Sequence, residues 1–483
     1  MKNFCAIILT LFFLIFCNSI FSQKKTSEEI INSIAGLPEL NNAILGLYAK
    51  NLTVDSVIID YNSKLSLCPA SVFKIFPTAL ALEILGPNSE FKTEIAYSGN
   101  IDSSGNLNGD LYVIGFGDPS LGSLNFENHY NKEAVLLLKW VNDIKKAGIK
   151  RINGNLIADA SYFGKINING KWLWEDVANH YGTKASSLNY LDNLFYIHFK
   201  TGNKEGLPTE IIRINPPDLG IEINNEVITS KNNFDEAYIY FTRDSKKLDI
   251  RGTLPMNKSD FQIKAALPDP EMYLLNQLEN ALKINGIVVT GKKEVIFNKK
   301  TEENIKVIST TFSPKLSEIV RVTNIKSQNL YAEILSYHIS KKFGKSYADL
   351  LKEFLNIRGI DSRGLFVDDA CGLSRSNGLT CKQMTDFLIY MKTKSPVGDI
   401  FLKTFPITEL KGTVSKYAIQ NTEKNKMYAK SGSMNRVRAY AGYIFNNKGE
   451  EIAFCVIANN YGCPGFRMRK IFEELFITIS KLE

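Results

Sequence analysis

Serine hydroxyls and lysine amines recur here in three short patterns that together could run acyl transfer without a histidine. In chain order they are Ser71-Val72-Phe73-Lys74, Ser327-Gln328-Asn329 and Lys430-Ser431-Gly432. A serine hydroxyl is a weak nucleophile until a base removes its proton, and a lysine serves as that base only as the free amine. Burial and a neighbouring cation both lower an amine's pKa, so Lys430 close to Lys74 would favour a neutral Lys74. In this reading Ser71 is the nucleophile and Lys74 its base. Ser327 relays a proton between Lys430 and the leaving group, and Asn329 holds the substrate amide or Lys74. Ser431, Gly432 and Ser433 form the substrate-binding side, where the two hydroxyls suit a terminal carboxylate. The backbone N–H groups of Ser71 and Ser433 would bind the oxyanion, a contribution of roughly 10²–10³ in rate per donor. The substrate is then one that ends in a carboxylate and is opened through a covalent acyl-enzyme.

The elements that must position these groups can be read around each motif. Taken singly the triplets are cheap. Ser22-Gln23-Lys24-Lys25 and Ser89-Glu90-Phe91-Lys92 also fit Ser-x-x-Lys, Ser187-Leu188-Asn189 and Ser433-Met434-Asn435 fit Ser-x-Asn, and Lys200-Thr201-Gly202 resembles the third pattern. Context separates them. Cys68-Pro69-Ala70 leads into an apolar run from Ser71 to Leu85, closed by Gly86-Pro87, which predicts a helix with Ser71 at its N-terminus. Lys74 then lies on the face of Ser71, the unpaired N–H groups of that helix end favour developing negative charge, and Pro77 predicts a kink. Ser22 falls at a cleavage site and Ser89 in a polar loop. Ser327 falls between two helical stretches, one from Ser313-Pro314 through Val320 and one from Asn329 to Ile339. Standing alone, Ser71 and Ser327 each read as ordinary helix caps. Lys430 ends a strand-like segment from Met427, and Arg438 to Phe445 pairs with Glu451 to Asn459 as a hairpin across Asn446-Asn447-Lys448-Gly449. Lys200 also follows a strand, but precedes Ser327 in the chain. Gly115-Phe116-Gly117 is followed by Asp118-Pro119 rather than a helix start, so it reads as a tight turn and not as a phosphate loop.

Composition sets the address. Lys2, the apolar run Ala6 to Phe16 and the small polar residues up to Ser22 read as a secretory signal over residues 1–22. An uncleaved anchor is the alternative, whereas Phe16 is too bulky before Cys17 for a lipoprotein site. No later segment is long and apolar enough to span a bilayer. The remaining chain exceeds one common domain, so two or three are expected. The formal charge of +8 is spread along the chain. It would suit an anionic polymer or peripheral association at a membrane surface, but reads first as ordinary solvated surface. Without a basic stripe and interleaved aromatics it gives no reason to expect nucleic acid. Five cysteines follow the signal: Cys68, Cys371, Cys381, Cys455 and Cys463. An odd count cannot be fully paired; one disulfide such as Cys371–Cys381 fits the number, but free buried thiols fit a chain of this size better. The four histidines lack ligand spacing, so no metal or other cofactor is expected.

At its three motifs the chain resembles the serine penicillin-recognising enzymes. The resemblance extends to Pro69-Ala70-Ser71, Leu85-Gly86-Pro87, Gly117-Asp118-Pro119-Ser120-Leu121 and Ser187-Leu188-Asn189 with Asp192-Asn193. It continues through Asn324 to Glu333, Gly372-Leu373-Ser374-Arg375, Lys411-Gly412-Thr413 and Tyr428-Ala429-Lys430-Ser431-Gly432. Together these are similar to the D-alanyl-D-alanine carboxypeptidase/endopeptidase group of the penicillin-binding protein 4 type, peptidase family S13. Two positions depart from its pattern. Asp369-Ala370-Cys371-Gly372 stands where Asp-Gly-Ser-Gly is usual, and Ser431 replaces a threonine but keeps the hydroxyl.

The resemblance implies an α/β (α+β) fold, a serine β-lactamase/DD-peptidase-like domain whose antiparallel sheet is flanked by helices, with two inserted strand-rich domains. The gap of 256 positions from Ser71 to Ser327 (327 − 71) agrees with such an insertion. The expected division is 1–22 signal, 23–93 with 306–483 catalytic, and 94–305 inserted. The insertion itself would divide into about 94–115 with 186–305, and about 116–185. The activity implied is release of the terminal D-Ala from peptidoglycan stem peptides outside the cytoplasm, with D-Ala–diaminopimelate cross-links as a second target. Peptidoglycan peptides would be the substrates and β-lactam antibiotics covalent inhibitors. Two alternatives stand beside this. A β-lactamase needs fast deacylation, and no Glu-x-x-x-Asn or tyrosine base motif follows Ser327. A non-catalytic wall-binding scaffold would typically have lost Ser71 or a lysine.

Overall fold

The structure, a computed structural model, describes residues 27–130, 133–217, 219–241, 247–298, 304–407 and 426–481. Residues 1–22, where a signal is expected, and Lys411-Gly412-Thr413 lie outside the described residues. Among those described, no helix is long and apolar enough to cross a membrane.

The two ends of the chain build one sheet. Its five antiparallel strands run in the order Lys426–Met434, Val437–Phe445, Glu451–Asn459, Ile44–Asn51, Ser56–Tyr61. The N-terminal hairpin joins the C-terminal strands in register, with Tyr48 opposite Cys455. Residues Ile452 to Asn459 are buried without alternation, which is what a strand covered on both faces requires. One face is covered by helices Ser27–Ala35 and Gly465–Ser480, through Ile30, Phe472 and Phe476 packed on Leu47, Phe454 and Val456. On the other lie the helices Ile75–Leu85 and Cys381–Thr393, where Phe76 meets Phe387 edge to face at 4.9 Å. This is the expected mixed α/β architecture.

Between Leu85 and Leu316 the chain leaves this body and forms further sheets. A five-stranded sheet has the order Lys293–Ile296, Leu156–Asp159, Leu111–Gly115, Lys92–Tyr97, Lys306–Phe312. The sequence border at 93/94 therefore falls inside a strand, and Lys306–Phe312 pairs with Lys92–Tyr97 as the chain returns. Two three-stranded sheets, Glu210–Asn215 with Leu194–Lys200 and Phe261–Ala266, and Glu222–Ser230 with Lys247–Pro255 and Glu236–Tyr240, fill much of the remaining insertion.

The long helix Asn329–Phe343 ties insertion to body. Tyr331 donates its hydroxyl to Asp192 Oδ1 at 2.5 Å, His338 Nε2 lies 2.9 Å from the Gly117 carbonyl, and Asn329 Nδ2 donates to Tyr181 O at 2.7 Å. The motifs around Gly117, Ser187 and Asp192 thus act at this seam. The Asn189 side chain closes the Asp118 turn through the Asp118 carbonyl.

All five described cysteines are free. A Cys371–Cys381 disulfide is not formed: Cys371 lies beside Lys74, and the thiol interacting with Cys381 is that of Cys455.

Candidate active site

Ser71 sits in a short 3₁₀ segment, Ala70–Lys74, that passes directly into the α-helix Ile75–Leu85. The expected kink at Pro77 is replaced by this change of helix type. Pro77 stands in the first α turn, where its missing N–H costs least. Gly86 ends the helix as anticipated, with its N–H on Leu82 O and a φ of +92°. The entry to Ser71 is fastened to the sheet by Asn459, whose side chain bonds both the N–H (2.8 Å) and the carbonyl (3.0 Å) of Cys68. Ala70 then takes a φ of +48°, a left-handed conformation that is costly for a residue with a Cβ.

Lys74 is fully buried, and its Nζ lies 2.9 Å from Ser71 Oγ and 2.6 Å from the carbonyl of Cys371. Burial drives its pKa down, while the charge fields of Cys371, Asp369 and Glu333 push the other way. Lys430, also fully buried, places Nζ 2.9 Å from Ser327 Oγ and 2.7 Å from the Ser431 carbonyl. Burial lowers its pKa strongly, and the charge of Lys74 adds to that. Two nearby amines out of water cannot both hold their protons, so the pair titrates as a unit.

The strand Lys426–Met434 is the sheet's edge, and its free side faces the Ser71 segment. A Cβ on Gly432 would stand 2.7 Å from Pro69 O and 3.0 Å from Ser71 N, so only glycine allows the strand so close. Ala429 donates its N–H outward to Pro406 O. Backbone groups alternate sides along a strand, so Ser431 and Ser433 also point outward, toward the segment bearing Ser71. Ser431 is buried and Ser433 exposed.

Ser327 caps the helix Leu316–Lys326 in the left-handed region (φ 58°, ψ 42°), which lets Asn329–Phe343 begin two residues later in a new direction. Asn329 differs from expectation in part. Its amide nitrogen is spent on Tyr181 O, and among the described residues it makes no hydrogen bond to Lys74. The competing motifs are structural: Ser187 Oγ donates to Ala160 O, Ser89 Oγ to Leu85 O, and Thr201 Oγ1 to Pro255 O.

Sequence reasoning missed the support beneath Lys74. Glu333 accepts the N–H groups of Ala370 (2.8 Å) and Cys371 (2.7 Å). Asp369 accepts from Gly372 N, Ser374 N, Asn377 Nδ2 and Trp172 Nε1 at 2.5–2.8 Å. Glu333, Asp369 and the Cys371 thiol lie close enough together to suggest a metal site, but Glu333 Oε1 and both Asp369 oxygens already accept N–H donors. The available signal was Glu333, four residues after Asn329 and so on its helix face.

Solved structures share this arrangement of elements. Penicillin-binding protein 4 (dacB) of Haemophilus influenzae superposes with a TM-score of 0.78 at 24% identity, covering 95% of this chain and 100% of that one. The same protein complexed with a novel β-lactam gives 0.73 at 25% identity, over 94% and 99% of the two chains. The fold is therefore that of the serine DD-peptidases with extra domains. Residues 27–474 match the D-Ala-D-Ala carboxypeptidase 3 (S13) family, and the chain belongs to that family of serine peptidases. Among curated relatives, the D-alanyl-D-alanine carboxypeptidase DacB of Haemophilus influenzae is 28% identical over 88% of this chain and 87% of its own length. The D-alanyl-D-alanine carboxypeptidase of Actinomadura sp. (strain R39) is 25% identical over 90% and 81%.

Proposed function

We propose that this S13 carboxypeptidase acts through an acyl-enzyme on Ser71. The observation that carries the reading is the double serine–lysine pairing, Ser71 with Lys74 and Ser327 with Lys430, each at 2.9 Å. Lys74 takes the Ser71 proton as Oγ attacks the penultimate D-Ala carbonyl. The N–H groups of Ser71 and Ser433 hold the oxyanion. As the C–N bond breaks, the departing D-alanine amine takes the Ser327 hydroxyl proton, which Lys430 replaces. Ser431 and Ser433, on the close-approaching Gly432 strand, receive the substrate carboxylate, and Asn329 Oδ1 remains available for a substrate amide N–H. Water then attacks the acyl carbon and gives a proton to Lys430 through Ser327. The ester C–O bond breaks, Lys74 returns its proton to Ser71 Oγ, and the shortened peptide leaves and ionises to its carboxylate.

The substrates in this reading are peptidoglycan stem peptides, with cross-linked dimers as a second target, met outside the cytoplasm after export by residues 1–22. The catalytic domain, expected over 23–93 with 306–483, would have its borders at Leu85 and Leu316, where the chain leaves and rejoins the body. The segment between would be the inserted region framing the cleft. A fluorescent penicillin should label the wild type, and Ser71→Ala should abolish labelling. Mass spectrometry of digested muropeptides should show loss of terminal D-Ala. Wild type that takes no label, or Ser71→Ala that labels equally, would overturn the assignment. Loss of cross-linked dimers would add the endopeptidase activity.

A further inference from the structure

Glu333 takes no part in the steps above, yet it is tied to them through the main chain of one residue, Cys371. It stands four residues after Asn329 on the helix Asn329–Phe343 and accepts the N–H groups of both Ala370 and Cys371. The carbonyl of the same Cys371 receives Lys74 Nζ at 2.6 Å. Asp369 holds the peptide that bears this carbonyl through the Gly372 N–H, and the Ser374 N–H beyond it, and Gly372 turns at a φ of +80° where a Cβ would stand 2.1 Å from Ala70 O. The turn is thus fastened from two sides and presents one carbonyl to one amine.

A neutral amine has two N–H groups and one lone pair. When one N–H is held by a carbonyl, the directions left to the lone pair are restricted. We propose that Glu333 is a positioning residue for Lys74: by holding the N–H of Cys371, the residue whose carbonyl receives the amine, it aims Lys74 at Ser71, and its negative charge sets the pH at which Lys74 becomes a free base. This rests on the reading of Lys74 as the base of Ser71. It also explains why cysteine is tolerated where the family pattern has serine, since the main chain of residue 371 makes the contact.

The charges around Glu333 are specific. Asp369 and Cys371 face it from the turn, and Tyr337 and Tyr347 from the helices Asn329–Phe343 and Tyr347–Ile357. Lys184 and Asp368 line a small cavity on its other side, and its field reaches Lys74. Burial, reinforced by Asp369, pushes the Glu333 carboxyl up to about 7, against the two N–H bonds it accepts. Glu333 therefore gains its charge near neutral pH, and that charge opposes the lowering of the Lys74 pKa that burial causes.

The test is the pH profile of the second-order rate of penicillin acylation, with thermal melting as the control for folding. Glu333→Gln keeps an oxygen for the two N–H groups but removes the charge. Its acid limb should move to lower pH by on the order of one unit, with the plateau retained within about tenfold. Glu333→Asp keeps the charge but shortens the reach, and should lower the plateau while leaving the limb near its wild-type position. An acid limb unmoved in Glu333→Gln, in a protein that still melts cooperatively, overturns the proposal. So does a Glu333→Asp limb shifted as far as that of Glu333→Gln. Should Glu333→Gln fail to fold, the Glu333→Asp profile decides alone. Wild type that is not acylated at Ser71 would instead refute the proposed function, so the two failures are separable.

Discussion

Two amines buried within one cleft give each serine a different partner. Lys74 is hydrogen-bonded to Ser71 and Lys430 to Ser327, and each charge makes the other harder to keep. In the proposed mechanism the division of labour follows from position, because Lys74 sits beside Ser71 and Lys430, on the edge strand, beside Ser327. Removing the relay hydroxyl should therefore slow the reaction without moving the covalent bond. Ser327→Ala is expected to reduce acylation by roughly 10²–10⁴-fold, with the label still on Ser71 when the modified peptide is sequenced. Label on any other residue, or an unchanged rate, would remove Ser327 from the proton path. The motif residues were legible from their spacing and setting. The support beneath Lys74 was not, because Glu333 and Asp369 reach it through main-chain groups of a turn that sequence alone does not place.

At the scale of elements, the cleft depends on an edge strand lying against a helix start with no side chain between them. Gly432 meets Pro69 O and Ser71 N at distances a Cβ could not occupy without movement. Gly432→Ala should push the strand away from Ser71 while leaving the sheet paired, since Gly432 opposes Ala439 on its partner strand. A misplacement approaching 1 Å can cost about 10²-fold in rate. The expected outcome is acylation slowed by about that factor with a melting temperature close to wild type. A rate within twofold of wild type would show that the close approach is not needed. The helix start and the C-terminal hairpin were legible from the apolar run after Ser71 and the turn at Asn446 to Gly449. The 3₁₀ form of Ala70–Lys74 was not, because Pro77 alone reads as a kink and the fastening of Cys68 by Asn459 comes from 391 residues away.

At the scale of the molecule, one helix joins the inserted region to the body, and the junction has its own pH dependence. His338 is 7% exposed, stacks on Phe91 at 4.2 Å and bonds the Gly117 carbonyl. Burial lowers its pKa from 6.5 to about 4. The unfolded chain takes up a proton below pH 6.5, whereas the folded chain resists until about 4. His338 therefore causes stability to fall as pH drops through that window, by about 3 kcal/mol at most. Urea unfolding between pH 7 and pH 4 should show a steeper loss in wild type than in His338→Gln, although the variant starts less stable. Parallel curves would sink this account. Residues His338 and Asn329 share a helix, so loosening the seam should also be felt at the cleft.

The sequence by itself determined which groups could react, the order in which they occur, and that a long insertion separates Ser71 from Ser327. The groups and their order rest on local chemistry, hydroxyls, amines, apolar runs and turn residues read where they stand, and the insertion on the family resemblance with the 256-position gap. Tertiary structure alone decided that strands near the two ends of the chain close one sheet, that Asn329 turns its amide to Tyr181, and that Glu333 accepts the N–H of the residue whose carbonyl meets Lys74. The reason is physical. Burial lowers an amine's pKa and a backbone carbonyl orients it only when segments distant in sequence exclude water from the same few ångströms.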